Sequence, residues 1–196
     1  MLTIQASSYH HIRGGLENSM FIGFNQPILD KFYDQVIPLS VISGVLLMIG
    51  CFMEYAIVNQ TSLAVYMIDV DYFKNYNDYY GHLKDDYILK TLVQTIQQIL
   101  PENGFLARYG GEEFAVLLAD ISWHKAEAFA EQLCEVIRQL NLEHANRGDD
   151  KTWISISVGA AIMDAEHIYE NVDRLLKTAD QRLYQAKILR DSAYIK

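Results

Sequence analysis

The stretch Leu63-Ala-Val-Tyr-Met-Ile-Asp-Val-Asp71 decides the fold of this chain. Residues 63–68 are apolar and rich in strand formers, and the acidic Asp69 and Asp71 follow them directly. A short apolar run of this kind predicts a buried strand with carboxylates at its C-terminal end. Ligand sites in α/β sheets favour that end of the strands, so this edge is the first candidate site.

Helices and strands alternate downstream of this strand. The predicted helices span 73–80, 85–100, 122–140 and 172–189. The predicted strands span 63–68, 104–108, 114–118 and 153–158. Gly81 and Pro101 end the first two helices, and Asn171 is the expected N-cap of the last. This alternation around a single sheet predicts an α/β sandwich.

The bulk composition limits the class of protein. With 196 residues, 51% of them apolar, the chain fits one globular domain over 61–196 preceded by an N-terminal segment over 1–60. A net charge of −9 opposes a nucleic-acid polymer as partner, because phosphate backbones are held mainly by clustered Lys and Arg. A small nucleotide remains open, since a metal and backbone amides can neutralise its phosphates.

The N-terminal segment contains an uncharged apolar run over residues 36–53. This run just reaches the length needed to span a bilayer, but no basic residues flank it to set an orientation. Two alternatives stay open, a membrane-associated segment and a buried element. Cys51 and Cys134 lack the spacing of a zinc site, and such isolated thiols favour a reducing, cytoplasmic location. Residues 1–35 show no sustained period and predict loops and a short helix.

Asp69 and Glu112 form the candidate chemical pair, since each leaves a predicted strand. If those strands are neighbours, the two carboxylates can share one cation, and Mg²⁺ commonly takes one or two protein carboxylates plus phosphate oxygens and water. Gly110 and Gly111 would let backbone amides approach a phosphate. Each piece alone has a plainer explanation: Gly-Gly before acidic residues is typical of a solvated hairpin tip, and Asp after a strand often begins a turn.

Several motifs nevertheless occur together and in order. They are Asp69-Val-Asp71-Tyr-Phe73-Lys74-x-x-Asn77-Asp78-x-x-Gly81-His82, then Asp86, then Arg108-Tyr-Gly-Gly-Glu-Glu-Phe114, then Ser157-Val-Gly159-Ala160, then Leu175-Leu-x-x-Ala179-Asp180-x-x-Leu183-Tyr184-x-Ala186-Lys187. Over about residues 62–187 the chain resembles the diguanylate cyclase (GGDEF) domain family. The resemblance implies a central, mainly antiparallel sheet flanked by helices, similar to the palm of nucleotidyl cyclases.

The resemblance also implies a reaction in which two GTP molecules condense to cyclic di-GMP and two pyrophosphates. Each protomer of a transient homodimer would present one GTP. Asp69, the Val70 carbonyl and Glu112 would hold Mg²⁺, with Mn²⁺ as a substitute. The implied catalytic residues are Glu112, Glu113, which would help to activate the 3′-hydroxyl, and Lys74, which would stabilise phosphate charge.

The resemblance assigns further residues to substrate binding. They are Phe73, Asn77, His82, Asp86, Gly110, Gly111 and Lys187. Asn77 and Asp86 match guanine readers, which suits their chemistry because a carboxylate accepts from the guanine N1 and N2 donors. Outside such a motif, polar residues on helix surfaces are ordinarily just solvated.

The chain departs from the family pattern at four places. Asp85 replaces a glycine and is expected to crowd an anionic nucleotide. Residues 101–104 lack the Arg-x-x-Asp of the product-inhibition site, which predicts no feedback there. Residues 188–191 lack the usual Gly-Arg-Asn, so one phosphate-binding arginine is displaced or lost. The family's entry segment, Asp-x-Leu-Thr-Gly-Leu-x-Asn-Arg-Arg, which precedes the first strand, survives at most as residues 15–18. Two other functions therefore stay open, a non-catalytic GTP-binding module and a cyclase for another base.

Overall fold

The computed structural model describes residues 37–196, apart from the side chains of residues 37–42, 82 and 83. Its helices are α1 (Ile37–Asn59), α2 (Phe73–Tyr80), α3 (His82–Ile99), α4 (Trp123–Gln139) and α5 (Val172–Leu189). Its strands are β1 (Leu63–Val70), β2 (Gly104–Arg108), β3 (Glu113–Ala119), β4 (Ile156–Met163) and β5 (Ser192–Tyr194). The expectations for residues 1–35, including the remnant at 15–18, lie outside the described residues.

The five strands form one sheet in the order β2-β3-β1-β4-β5. The pairs β2/β3, β3/β1 and β1/β4 are antiparallel, and only β4/β5 is parallel. β1 lies at the centre, and all eight of its residues are buried. The predicted mainly antiparallel sheet with flanking helices is confirmed.

The alternation of side chains along β1 divides the core into two halves. The even-numbered residues 64–70 pack with α3 and α4 on one face of the sheet. The odd-numbered residues 63–67 pack with α1 and α5 on the other face. Asp69 continues the odd-numbered series, and this places its carboxylate on the side of the sheet that α5 covers.

Helix α1 contains most of the apolar run over residues 36–53. Its residues Val45, Ile49, Met53 and Ala56 are buried and pack with the sheet and α5. This packing agrees with the alternative of a buried element. Within residues 37–196, no helix combines the length and the apolar character that crossing a membrane requires.

Three sequence predictions differ from the structure. The strand expected over 153–158 with one exposed face is β4, which starts later at Ile156, continues through Gly159 and is buried throughout. Gly159 lies inside this strand, and its lack of a side chain makes room for α5. A Cβ atom there would lie 2.0 Å from the backbone nitrogen of Leu183. Strand β5 was not predicted. Helix α3 starts at His82 rather than near Asp85, because Gly81 with φ 78° turns the chain directly out of α2.

Candidate functional site

The C-terminal end of β1 lies beside the N-terminal end of β3, as a site shared by Asp69 and Glu112 requires. Asp69 stands opposite Glu113 in the strand register. The Val70 amide donates to the Glu112 carbonyl at 3.3 Å. Asp69 is only 5% exposed, whereas Glu112 and Glu113 are half-buried. The condition set by the sequence analysis, that these two strands are neighbours, is therefore met.

The turn between β2 and β3 holds the two glutamates at this end of the sheet. The amides of Tyr109 and Gly110 donate to the Glu113 carbonyl at 2.8 and 3.1 Å. Arg108 folds back so that its Nε donates to the Gly111 carbonyl at 2.9 Å. A Cβ atom on Gly110 would lie 2.6 Å from Oε2 of Glu113. Glycine at this position therefore lets the Glu113 carboxylate lie across the turn.

Asp69 carries the strongest electrostatic perturbation of the site. Burial raises the pKa of Asp69 to about 6, the charges of Glu112 and Glu113 act in the same direction, and Lys187 opposes the shift. Lys187 Nζ donates to Asp69 Oδ2 at 2.6 Å. Asp69 thus lies near the negative charges of Glu112 and Glu113 and bonds one ammonium group, and this charge balance favours a further cation.

The donor chemistry at this end of the sheet fits magnesium. The carboxylates of Asp69 and Glu112 and the carbonyl of Val70 are all oxygen donors, and Mg²⁺ is commonly held by one or two carboxylates with phosphate and water. Within residues 37–196, no group of three or more His, Cys, Asp or Glu side chains is placed to hold a metal by itself. An ion at this position would therefore need oxygens from a ligand.

The other expected substrate residues lie on α2 and α3. Lys74 and Asp86 are exposed, Asn77 is half-buried and Phe73 is buried in the core. The Gly81 amide donates to the Asn77 carbonyl at 2.9 Å. The structure brings Asp69, Glu112, Glu113 and Lys187 together. The residues of α2 and α3 lie on separate elements that follow β1 along the chain. The side chain of His82 lies outside the described residues.

Asp85 and its neighbour Asp86 differ in their surroundings. Asp85 is 6% exposed, while Asp86 is on the surface. Burial raises the pKa of Tyr76, and nearby Tyr80 and Asp85 add to this shift. The Asp85 carboxylate therefore lies within the protein, near Tyr76, and not on the surface that presents Asp86. This placement gives no support to the expected crowding of a nucleotide.

Asp71 is a site residue that the sequence reasoning left without a role. It is 0% exposed and accepts from the hydroxyls of Ser155 and Ser157 at 2.6 and 2.7 Å. It also accepts from the Asp191 amide at 2.8 Å and from Arg190 at 3.3 Å. The alternation Ser155-Ile-Ser157 was the available signal, since it places two hydroxyls on one side of the chain beside the end of β1.

The segment after α5 is held in an unusual backbone conformation. Arg190 has φ 57° and ψ 155°, a region nearly restricted to glycine that costs other residues roughly 1–3 kcal/mol. Asp191 follows with φ 52° and accepts from Arg138 at 3.1 Å and Lys151 at 3.0 Å. The arginine missing from position 191 is thus replaced by a carboxylate that faces the protein.

A family model and several known proteins are similar to this chain. Residues 52–191 match the family described as "Diguanylate cyclase, GGDEF domain". The chain is 34% identical over 139 residues to the probable diguanylate cyclase DgcT of Escherichia coli, covering 68% of this chain and 29% of DgcT. It is 37% identical over 127 residues to diguanylate cyclase DosC of the same species, covering 65% of this chain and 26% of DosC. The chain therefore spans less than a third of these relatives.

Solved structures share the architecture. The GGDEF domain of TpbB (YfiN) from Pseudomonas aeruginosa is 31% identical with a TM-score of 0.68, covering 78% of this chain and 87% of that one. The active GGEEF domain of a diguanylate cyclase from Vibrio cholerae is 27% identical with a TM-score of 0.65, covering 78% and 94%. The GGDEF domain of DgcB from Caulobacter crescentus, at 23% identity and a TM-score of 0.69 over 78% and 86%, shares the fold.

Proposed function

Since this chain belongs to the diguanylate cyclase GGDEF domain family, we propose that it condenses two GTP molecules to cyclic di-GMP. In each of two steps a 3′-hydroxyl oxygen bonds to an α-phosphorus, the bond to pyrophosphate breaks, and the hydroxyl proton is released. The observation that carries the proposal is the meeting of Asp69, Glu112 and Glu113 at one end of the β1/β3 pair, with Lys187 on Asp69. Oxygen donors and a lysine ammonium group there suit a metal-bound triphosphate.

The residues of this end of the sheet divide the work of phosphoryl transfer. Asp69, Glu112 and the Val70 carbonyl would hold Mg²⁺ or Mn²⁺, which when bound polarises the α-phosphate and neutralises the leaving pyrophosphate. Glu113, whose carboxylate lies over Gly110, is proposed to draw the proton from the 3′-hydroxyl. Lys74 and Lys187 are proposed to balance the charge of the phosphates.

Guanine recognition is assigned to Asn77 and Asp86. A surface carboxylate at Asp86 can accept from the N1 and N2 donors of guanine, whereas adenine presents no such pair of donors. Competition between GTP and ATP for the protein tests this assignment. An equal affinity for the two nucleotides would favour a cyclase for another base.

The reaction needs two copies of the chain. One chain offers one Asp69–Glu112 pair, and cyclisation joins two nucleotides, so each protomer of a transient homodimer would present one GTP. Turnover per protomer is therefore expected to rise with protein concentration until the dimer is saturated.

A non-catalytic GTP-binding module is the second candidate. It is favoured by the family's upstream segment, which survives in the sequence at most as residues 15–18, and by Asp85 in the place of a glycine. Purified protein with GTP and Mg²⁺ separates the two functions. Cyclic di-GMP detected by chromatography supports the cyclase, and GTP binding without product supports the binding module.

Glu112→Gln tests the carboxylate most closely tied to the metal. We expect turnover to fall at least about 100-fold, equivalent to ~2.7 kcal/mol of transition-state stabilisation, because an amide is a much weaker ligand for Mg²⁺. The melting temperature should stay near the wild-type value, since Glu112 is half-buried at the edge of the sheet. Glu102→Gln, an exposed change in the turn before β2, is the matched control. Wild-type turnover in Glu112→Gln would remove Glu112 from the proposed metal ligands.

A further inference from the structure

Two ion pairs join the last turn of α5 to the end of β1. Lys187 pairs with Asp69 at 2.6 Å, and Arg190 pairs with Asp71 at 3.3 Å. Arg190 directly follows α5, which ends at Leu189, and Asp71 directly follows β1, which ends at Val70. The two pairs are therefore parallel links between the same two elements.

The link through Asp71 is fixed by its surroundings. The Asp71 carboxylate is fully buried, and the two serine hydroxyls and the Asp191 amide bond it in addition to Arg190. The Arg190 guanidinium also lies 4.9 Å from the centre of the Tyr72 ring. Removing one partner of a buried pair leaves an uncompensated charge, so this link resists opening.

The link through Asp69 is more accessible. The carboxylate of Asp69 is 7% exposed and that of Asp71 0%, while the cations Lys187 and Arg190 are 31% and 27% exposed. Lys187 Nζ lies 2.6 Å from Asp69 Oδ2, so a metal ion on the Asp69 carboxylate would place a second cation beside the lysine. Their mutual repulsion favours the release of Lys187 from Asp69, and the phosphates bound to the metal would be its new partners.

The backbone at Arg190 adopts a conformation that favours glycine. Its φ of 57° and ψ of 155° suit glycine, and other residues persist there only where their surroundings impose the conformation. The contacts with Asp71 and Tyr72 are the ones that the arginine gains and glycine would lack.

We propose that Arg190 is a positioning residue, which through Asp71 and Tyr72 anchors the end of α5 while Lys187 moves from Asp69 to the phosphates of a bound nucleotide. Without this anchor, the Asp191 amide still bonds Asp71, but the side-chain ion pair between Lys187 and Asp69 is the one that nucleotide binding weakens. The inference rests on the proposed function, because it takes a metal-bound triphosphate as the ligand at Asp69.

Arg190→Gly separates the side chain from the backbone conformation, because glycine adopts these angles without strain. We expect the melting temperature to fall, because relief of strain offsets only part of the cost of leaving the buried Asp71 carboxylate without its guanidinium. The affinity for the α,β-methylene analogue of GTP with Mg²⁺, measured by isothermal titration calorimetry, should fall about tenfold or more, as is usual when a supporting residue of a metal site is lost. Arg190→Lys keeps the charge but not the planar group. Its affinity for the analogue should lie between those of the wild type and Arg190→Gly.

Gln60→Gly is the matched control. Gln60 is exposed and has a φ of 54°, so glycine relieves the same kind of strain far from the site. It should raise the melting temperature slightly and leave the affinity for the analogue unchanged.

The outcomes separate this inference from the proposed function. An Arg190→Gly protein that binds the analogue as tightly as the wild type overturns the positioning role. If that variant fails to fold, wild-type affinity in Arg190→Lys overturns it instead. A wild-type protein that makes no cyclic di-GMP, but whose affinity for the analogue still depends on Arg190, overturns the condensation reaction and leaves the anchor in place.

Discussion

Asp69 and Asp71 stand two positions apart in the chain and have opposite surroundings. Asp71 receives two hydroxyls, one amide and one guanidinium, which matches the roughly four acceptor sites of a carboxylate. Among the described residues, the hydrogen bonds recorded for the Asp69 side chain come from Lys187 alone. Asp71 is therefore saturated, while Asp69 keeps acceptor capacity for a ligand. Burial raises the pKa of Asp69 to about 6, and only the hydrogen bond and charge of Lys187 oppose this shift.

Asp191 shows how the buried charges govern the response to acid. Burial alone would raise the pKa of Asp191, but hydrogen bonds from Arg138 and Lys151 lower it below the ordinary value of 3.8. A carboxyl whose pKa is depressed on folding stabilises the protein above its unfolded pKa, and this contribution is lost as the pH falls through the folded value. We expect Asp191→Asn to lower the free energy of unfolding at about pH 7 and to differ less from the wild type as the pH falls below 3.8.

Urea unfolding at about pH 7, 5 and 3 measures this difference for Asp191→Asn. Asp150→Asn, an exposed change in the neighbouring loop, serves as control and should stay within about 0.5 kcal/mol of the wild type. A deficit in Asp191→Asn that is equal at all three pH values would show that the ion pairs with Arg138 and Lys151 are not its cause.

At the scale of elements, the contact between β4 and α5 determines where the C-terminal residues of the site lie. A Cβ atom on Gly159 would lie 2.0 Å from the Leu183 nitrogen and 2.3 Å from the Ala179 carbonyl oxygen. Arg182 adds a hydrogen bond to the Ala160 carbonyl at 2.8 Å. Backbone therefore packs on backbone here, and this close approach brings Lys187 within reach of β1.

Gly159→Ala should destabilise the protein by about 3 kcal/mol or more, because the clash is with backbone atoms that cannot rotate away. Gly50→Ala in α1 is the control, since its Cβ atom would meet only a Val172 methyl at 3.8 Å. Replacing a glycine within a helix should stabilise the protein by about 0.5–1 kcal/mol. Thermal and urea unfolding of both variants give the comparison, and equal stability of the two would contradict the close packing of α5 on β4.

For the molecule as a whole, the turn between α3 and β2 bears on whether the product of the proposed reaction can inhibit it. Pro101 and Gly104 occupy the two ends of this turn, where the family's product-inhibition motif has Arg and Asp. Asn103 is engaged locally, since its Nδ2 donates to the Ala119 carbonyl at 2.8 Å. The turn thus offers neither the cation nor the carboxylate of that motif.

We therefore expect added cyclic di-GMP to leave the rate of GTP consumption unchanged at concentrations well above that of the protein. Isothermal titration should detect no tight binding of cyclic di-GMP, with the GTP analogue as the positive control for a competent protein. Tight binding that a substitution in residues 101–104 abolishes would contradict this expectation.

Much of the fold was predictable because its signals are local. The apolar stripe of α3 and the N-cap of α5, where Asn171 accepts from the Arg174 amide at 3.0 Å, depend on neighbours along the chain. The end of β4 was predicted wrongly, because Gly159 is explained by a helix that lies some twenty residues later. The short β5 was missed because its three residues carry no period of their own.

The sequence by itself determined the family resemblance, the order of most elements and the position of Asp69 and Glu112 at the ends of two predicted strands. Only the tertiary structure decided which charges meet: Lys187 reaches Asp69 across 118 positions, and the Asp191 amide reaches Asp71 across 120. Periodicity specifies the face on which a residue lies, but contact between distant residues depends on the order of the strands and on the close packing of α5 over Gly159.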